Sequence, residues 1–141
     1  MENTKPRLIW HGMLLFLLGL ITGLIVQQLS NPRMGIAAHL EGVMNGTFLI
    51  VIGAIWTEIR LSPKLKTTAY WSLLYGTYLN WGVTLGAAIL GTNALTPIAG
   101  AGHQGQPWQE TVITLGYVSV GIMILLAVIL MLWGLRQRTQ S

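Results

Sequence analysis

Residues 36–45, with the sequence IAAHLEGVMN, place a histidine, a carboxylate and an amide at the start of a long apolar run. Ionisable groups inside a membrane segment are costly, and by default they mark a functional site. On a helix, Glu41 and Asn45 share one face at the spacing i, i+4, while His39 lies on a neighbouring face. This stretch therefore predicts a membrane helix that carries a polar functional site near one end.

His39 shares its predicted face with Gly42 and Gly46, so a flat group could approach the backbone beside it. The histidine could be a metal ligand, a proton carrier or an ordinary residue at the membrane interface. A zinc site needs about three protein ligands, whereas a haem needs one histidine and a dry slot. The chain has no cysteine, and His11 belongs to the far end of its predicted helix. Haem is therefore the most economical metal cofactor, with His39 as its iron ligand and the two glycines beside it. A second ligand from His103, in a later loop, stays an alternative.

The composition of the chain is that of an integral membrane protein. Of its 141 residues, 52% are hydrophobic and 9% are charged, whereas soluble domains carry about 25% charged residues. Four apolar runs, at residues 8–29, 36–59, 67–91 and 111–135, are each long enough to cross a bilayer. The sequence thus predicts an all-α fold, a four-helix bundle in which residues 1–141 form a single transmembrane domain.

The charges predict how this bundle is oriented. Four spans put both termini on one side of the membrane, and Arg33 is then the only basic residue on the other side. The basic residues that share the side of the termini are Lys5, Arg7, Arg60, Lys64, Lys66, Arg136 and Arg138. By the positive-inside rule this asymmetry predicts cytoplasmic termini. Because the basic residues lie at the ends of apolar runs, the net charge of +4 gives no reason to expect a nucleic-acid partner.

The third apolar run is the most polar of the four. Trp71, Tyr75 and Tyr78 follow a helical spacing and predict an aromatic stripe, and Asn80 falls near the middle of the bilayer. Buried amides such as Asn45 and Asn80 either hydrogen-bond other helices or hold a polar atom of a substrate. The spacing alone leaves both interpretations open.

Three runs of sequence together resemble the hydroxylaminobenzene mutases. They are NPRMGIAAHLEGVMNGTFLIVIGAIW from Asn31, WHGMLLFLLGL before it and YGTYLNWG after it, and the resemblance covers roughly residues 8–102. The block at residues 32–45 is its specific part. These small bacterial membrane enzymes convert hydroxylaminobenzene to 2-aminophenol in nitroarene degradation. The resemblance implies a multi-pass protein of the bacterial inner membrane whose substrate is a small aromatic hydroxylamine.

A more distant resemblance is to styrene oxide isomerase, a trimeric four-helix membrane enzyme whose ferric b-type haem acts as a Lewis acid. Its haem-ligating histidine lies six residues before a substrate-binding asparagine, which implies His39 and Asn45 here. An asparagine in its third helix corresponds to Asn80. A catalytic tyrosine four residues further on corresponds to Thr84, which has no phenol. The departure implies a different substrate and leaves Tyr78 as the candidate for that catalytic role.

The resulting prediction is an isomerase that binds ferric haem b and moves a hydroxyl group within hydroxylaminobenzene. Glycine pairs such as Gly42/Gly46 and Gly82/Gly86 favour close helix contacts, and with the resemblance they predict a homotrimer. The alternative from another class is a non-catalytic haem- or quinone-binding membrane anchor subunit. That role would need two axial histidines, and the third and fourth runs contain none. A small-molecule transporter is less favoured, because runs one, three and four carry no charge to couple to transport.

Overall fold

Four long helices account for most of the computed structural model, which describes residues 3–136. They are α1 (Thr4–Ile25), α2 (Pro32–Ala54), α3 (Pro63–Leu90) and α5 (Pro107–Arg136), with a short helix α4 (Pro97–Gly100) between the last two. Short 3₁₀ turns, Val26–Gln28 and Trp56–Glu58, follow α1 and α2. All four long helices are long and apolar enough to span a membrane, which confirms the predicted all-α membrane fold. Arg138, one of the residues behind the predicted orientation, lies outside the described residues.

Each long helix begins four residues before the start of its predicted span, at residues 4, 32, 63 and 107 instead of 8, 36, 67 and 111. Three of these starts are prolines, at Pro32, Pro63 and Pro107. Proline fits the first helical position, because its fixed φ suits the helix and its missing N–H would have no partner there. The pair Asn31-Pro32 therefore forms the start of α2.

The helices pack mainly in chain order, α1 on α2, α2 on α3 and α3 on α5. Glycines bring α1 and α2 into backbone contact: a Cβ added to Gly42 would lie 2.5 Å from Cα of Gly19, and one added to Gly46 would lie 2.5 Å from N of Phe16. The groove predicted to admit a flat cofactor is thus filled by α1 of the same chain. This contact explains why both positions are glycine, while the assignment of Gly42 and Gly46 as cofactor-binding residues stays a prediction.

This close contact predicts opposite outcomes for two glycines. Gly42→Ala should lower the melting temperature, because the new methyl group meets rigid backbone and overpacking costs about 1–3 kcal/mol. Gly82→Ala should leave it unchanged or raise it, since no atom of residues 3–136 outside its own helical turn lies within 4 Å of the added Cβ and alanine is the better helix former. Thermal denaturation of both detergent-solubilised variants measures the difference. Equal melting temperatures would contradict the α1–α2 contact.

Asn31 joins the start of α2 to α4 by hydrogen bonds of its side chain. Its side-chain oxygen caps α2 by accepting a bond from N of Met34 at 3.2 Å. Its amide donates to the carbonyl oxygens of Ala99 and Gly100, both at 3.0 Å, and its backbone N–H donates to O of Ala88 at 2.9 Å. The residue is fully buried. Asn31 therefore fixes the first turn of α2 against α3 and α4, two turns before His39.

Asn31→Ala should destabilise the protein through two losses. The cap is worth about 1 kcal/mol, and leaving two buried carbonyl groups without their donor costs about 1–3 kcal/mol more. Ser62→Ala is the matched control, because Ser62 caps α3 through an exposed and longer bond of 3.5 Å to N of Leu65. The expected order of melting temperatures is wild type, Ser62→Ala and then Asn31→Ala well below. If Ser62→Ala melted below Asn31→Ala, the hydrogen bonds of Asn31 would not be the more important for stability.

Candidate functional site

A carboxylate and two amides meet between α2 and α3. The amide nitrogen of Asn80 donates to Oε2 of Glu41, and that of Asn45 donates to the same oxygen at 3.4 Å. Asn45 also donates to the backbone oxygen of Thr77 at 3.3 Å. All three side chains are half-buried. The predicted shared face of Glu41 and Asn45 is thus confirmed, while the pairing of Glu41 with Asn80 was not predicted.

The hydrogen bonds leave this polar cluster of Glu41, Asn45 and Asn80 with free acceptors. An amide has two N–H donors and one carbonyl oxygen, and Asn45 uses both donors on Glu41 and Thr77. Among residues 3–136, neither amide oxygen of the cluster accepts a hydrogen bond. Because Glu41 orients both amides, the cluster offers two carbonyl oxygens to a small ligand that carries N–H or O–H groups.

His39 lies against α1 and not within the polar cluster. Its Nδ1 is 2.8 Å from the backbone oxygen of Gly19, and a Cβ added to Gly23 would lie 2.7 Å from the same ring nitrogen. A carbonyl oxygen only accepts, so Nδ1 carries the proton, and Nε2 is the free basic nitrogen of the neutral ring. Metal-binding histidines usually donate their other N–H to a carbonyl or carboxylate in this way. The His39 ring therefore fits the role of a single axial ligand.

The hydroxyl group of Tyr78 is hydrogen-bonded to His11 of α1. This hydroxyl lies 3.0 Å from Nδ1 of His11 and donates to the backbone oxygen of His11 at 3.2 Å. The two rings meet edge to face, with their centroids 5.7 Å apart. In the described part of the chain, the Tyr78 hydroxyl makes no hydrogen bond to the polar cluster. The Tyr78 phenol therefore joins α3 to α1, and its catalytic role stays a prediction.

Tyr117 of α5 is the residue that the sequence analysis missed. Its hydroxyl donates to Oγ1 of Thr84 at 3.1 Å, and Thr84 donates to the backbone oxygen of Asn80 at 2.8 Å. Both Asn80 and Thr84 lie on one face of α3, a helical turn apart. A single tyrosine in the most apolar run was the available signal, but its face could not be chosen without knowing how α5 packs.

His103 is held within its own loop, where its Nδ1 lies 3.0 Å from the backbone oxygen of Gly100. The loop is anchored by Glu110, whose carboxylate accepts bonds from the backbone N–H groups of Asn93, Ala94 and Gly105 at 2.9–3.1 Å. Residues 3–136 contain no cluster of three histidine, aspartate or glutamate side chains that could hold a metal ion. His103 thus makes the same kind of Nδ1–carbonyl bond as His39, but within its own loop.

An apolar cleft of about 540 Å³ opens on the outer face of α2, towards α4. Its lining residues are Arg33, Ile36, Ala37, Leu40, Leu95, Thr96, Pro97, Ile98 and Ala99. Its lining residue Ala37 precedes Glu41 by one turn of α2.

Comparison with known proteins gives consistent matches over nearly the whole chain. A sequence model of the family described as styrene oxide isomerase matches residues 4–136. Hydroxylaminobenzene mutase HabB of Ectopseudomonas oleovorans is 42% identical over 131 residues, which cover 92% of this chain and 80% of that protein. Hydroxylaminobenzene mutase HabA of the same organism is 44% identical over 126 residues, covering 88% of this chain and 93% of that protein. No solved structure matches the chain significantly.

Proposed function

The chain belongs to the styrene oxide isomerase family, and from this premise we propose that it rearranges hydroxylaminobenzene to 2-aminophenol. Its curated relatives are hydroxylaminobenzene mutases, so the chain is an enzyme of the isomerase and intramolecular transferase class. The observation that carries the proposed substrate is the polar cluster of Glu41, Asn45 and Asn80 inside otherwise apolar helices. A small aromatic molecule with one polar N–OH end matches such a site.

The reaction conserves every atom of the substrate. The N–O bond breaks, a C–O bond forms at the ortho carbon, and the proton that leaves this carbon is balanced by one gained at nitrogen. The site must therefore hold the N–OH group close to the ortho carbon and keep out bulk water, which would otherwise attack the ring at the para position. The apolar helices that surround the polar cluster would supply these dry surroundings.

Ferric haem b is the cofactor that we propose for this site. His39 would hold it through Nε2, since the bond from Nδ1 to the Gly19 carbonyl fixes the ring and its tautomer. When bound, the haem supplies a Lewis-acidic iron that polarises the N–O bond. Gly23 makes room for the histidine ring against α1. The chain itself would thus contribute a ligand whose ring is held by α1.

Asn45 and Asn80 would orient the substrate. Their carbonyl oxygens are free to accept from the N–H and O–H groups of an aryl hydroxylamine, and Asn80 keeps one N–H donor for the substrate oxygen. Because Glu41 binds both amides, it holds them in one orientation before the substrate arrives. Pre-organised polar groups of this kind cost little reorganisation during the reaction.

We propose that the enzyme works as a homotrimer in the bacterial inner membrane, with both termini in the cytoplasm. Exposed apolar side chains on the outer faces of α1 and α5, such as Leu24, Leu115 and Leu125, offer surface to lipid or to another copy. The mass of the detergent-solubilised protein checks the assembly, and a monomer alone would contradict it. A C-terminal fusion to a reporter that is active only in the periplasm checks the orientation, and it should be silent.

The function is tested with purified protein, hydroxylaminobenzene and water enriched in ¹⁸O. The expected product is 2-aminophenol without the label, because the hydroxyl group never leaves the site. Formation of 4-aminophenol or uptake of ¹⁸O would mean that water attacks the ring, which would overturn an intramolecular transfer. No conversion at all, in protein that shows a haem spectrum, would favour the membrane anchor subunit instead.

A further inference from the structure

A second polar chain reaches the site from α5. Tyr117 donates to Thr84, and Thr84 donates to the backbone of Asn80, whose side chain contacts Glu41. Thr84 is 4% exposed, while Tyr117 and Asn80 are half-buried. Polar side chains from three helices therefore converge at one level of the bundle.

Close packing of α3 and α5 fixes where Tyr117 lies. A Cβ added to Gly116 would lie 2.7 Å from Cγ2 of Val83, so the residue before Tyr117 is pressed against the residue before Thr84. The ring of Tyr117 packs against an apolar cluster formed by Met34, Val83, Ala87, Ala88 and Ile113. With its ring held on one side and its hydroxyl bound to Thr84, Tyr117 has little freedom to move.

The direction of the hydrogen bonds determines what the phenol can still do. The Thr84 hydroxyl donates its only proton to the backbone carbonyl of Asn80. Oγ1 of Thr84 must therefore accept the hydroxyl proton of Tyr117. The phenolic oxygen keeps its lone pairs, and within residues 3–136 it accepts no hydrogen bond. This half-buried oxygen lies beside Thr84, which is one helical turn from Asn80 on α3. It is suited to accept a hydrogen bond from an N–H or O–H group of a bound molecule.

We propose that Tyr117 contacts the substrate, accepting a hydrogen bond from its N–OH group, and that Thr84 is the positioning residue that aims the phenol. The proposal rests on the proposed function, and it adds α5 as the third wall of a site otherwise built from α2 and α3. It also explains why Thr84 is buried with its hydroxyl fully engaged.

The competing explanation is that Tyr117 only joins two helices. The chain contains a matched control for this, because the hydroxyl of Tyr75 lies 3.0 Å from Oγ of Ser119 and links the same helices, α3 and α5. Tyr75 is 45% exposed, on the surface away from the polar cluster. Tyr117→Phe and Tyr75→Phe thus remove the same chemical group from the same helix pair, inside and outside the site.

The experiment compares Tyr117→Phe, Thr84→Val and Tyr75→Phe in the haem-loaded protein. It measures turnover, the ratio of 2-aminophenol to 4-aminophenol, and the dissociation constant of 2-aminophenol by calorimetry. Tyr117→Phe should lower kcat/KM by about tenfold to a hundredfold and increase the share of 4-aminophenol. Thr84→Val should act in the same direction by a smaller factor, and the double variant should be no worse than Tyr117→Phe. Tyr75→Phe should match the wild type in all three measurements.

The outcomes separate this proposal from the proposed reaction. If the wild type converts the substrate and Tyr117→Phe equals Tyr75→Phe in every measurement, the substrate contact is refuted and the tyrosine is a helix link. If the wild type does not convert it, yet Tyr117→Phe still weakens 2-aminophenol binding relative to Tyr75→Phe, the reaction is wrong and the contact stands. If the wild type neither converts nor binds these aromatics, both proposals fall. Should Tyr117→Phe not fold, Thr84→Val decides by the same criteria.

Discussion

Purified His39→Ala protein should show no Soret band and no turnover, while the melting behaviour of its helices changes little. The other two histidines make their hydrogen bonds elsewhere, His103 to the carbonyl of Gly100 and His11 to Tyr78. Removing the imidazole therefore removes the proposed axial ligand completely. An absorption spectrum and a product assay on the same sample measure both effects.

Two further variants sharpen this test. His103→Ala is the control and should keep both haem and activity. Gly23→Ala leaves the imidazole in the chain but puts a methyl carbon only 2.7 Å from Nδ1 of His39, so the ring must move. Because the groups that orient a metal ligand typically contribute about 10–100-fold to metal affinity or activity, Gly23→Ala should lose most of its haem. A normal Soret band in His39→Ala would show that the ligand assignment is wrong.

Asn80→Ala should lower turnover by about 10²–10³ while haem content stays normal, the usual effect of losing one polar contact in a pre-organised site. The variant removes the amide that would face the substrate and also one of the two donors that orient Glu41. Since α3 carries no part of the proposed haem attachment, the spectrum should be unaffected. Turnover per haem, measured beside the absorption spectrum, gives the result.

The opposing explanation is that the amides only join α2 to α3. It predicts a lower melting temperature with near-normal turnover of the folded protein, and Asn45→Ala should then be the more damaging change, because Asn45 also donates to the Thr77 backbone. A catalytic role predicts instead that Asn80→Ala lowers turnover per haem more than Asn45→Ala does. Wild-type turnover per haem in both variants would exclude a role of Asn45 and Asn80 in the reaction.

The sequence alone correctly predicted the number of apolar spans and the shared helical face of Glu41 and Asn45. Hydropathy and helical periodicity act along one helix, and both features are local to one helix. Helix starts were placed too late because the spans were set by where each apolar run begins, whereas Pro32 and Pro63 start their helices four residues earlier. The Asn31 cap followed by proline was the available signal.

The contacts between helices could not be predicted in the same way. Helices that are apolar all round have no strong moment to fix their rotation, so neither the Glu41–Asn80 pair nor the Tyr78–His11 pair follows from spacing. The two glycines of α2 were assigned to an open groove because periodicity shows which residues share a face but not what covers that face. Here the cover is Gly19 and Phe16 of α1.

Pairing of the helices in chain order has a consequence for biogenesis. Chains are synthesised from the N-terminus, at about 5–20 residues per second, so α1 and α2, which contact each other, are both made before α3. This hairpin already contains the groups that hold the His39 ring, the carbonyl of Gly19 and the open surface of Gly23. Glu41 gains Asn80 only when the third helix arrives. A nascent chain arrested after α2 would therefore already present its histidine anchor, while the surroundings of the reacting molecule are completed last.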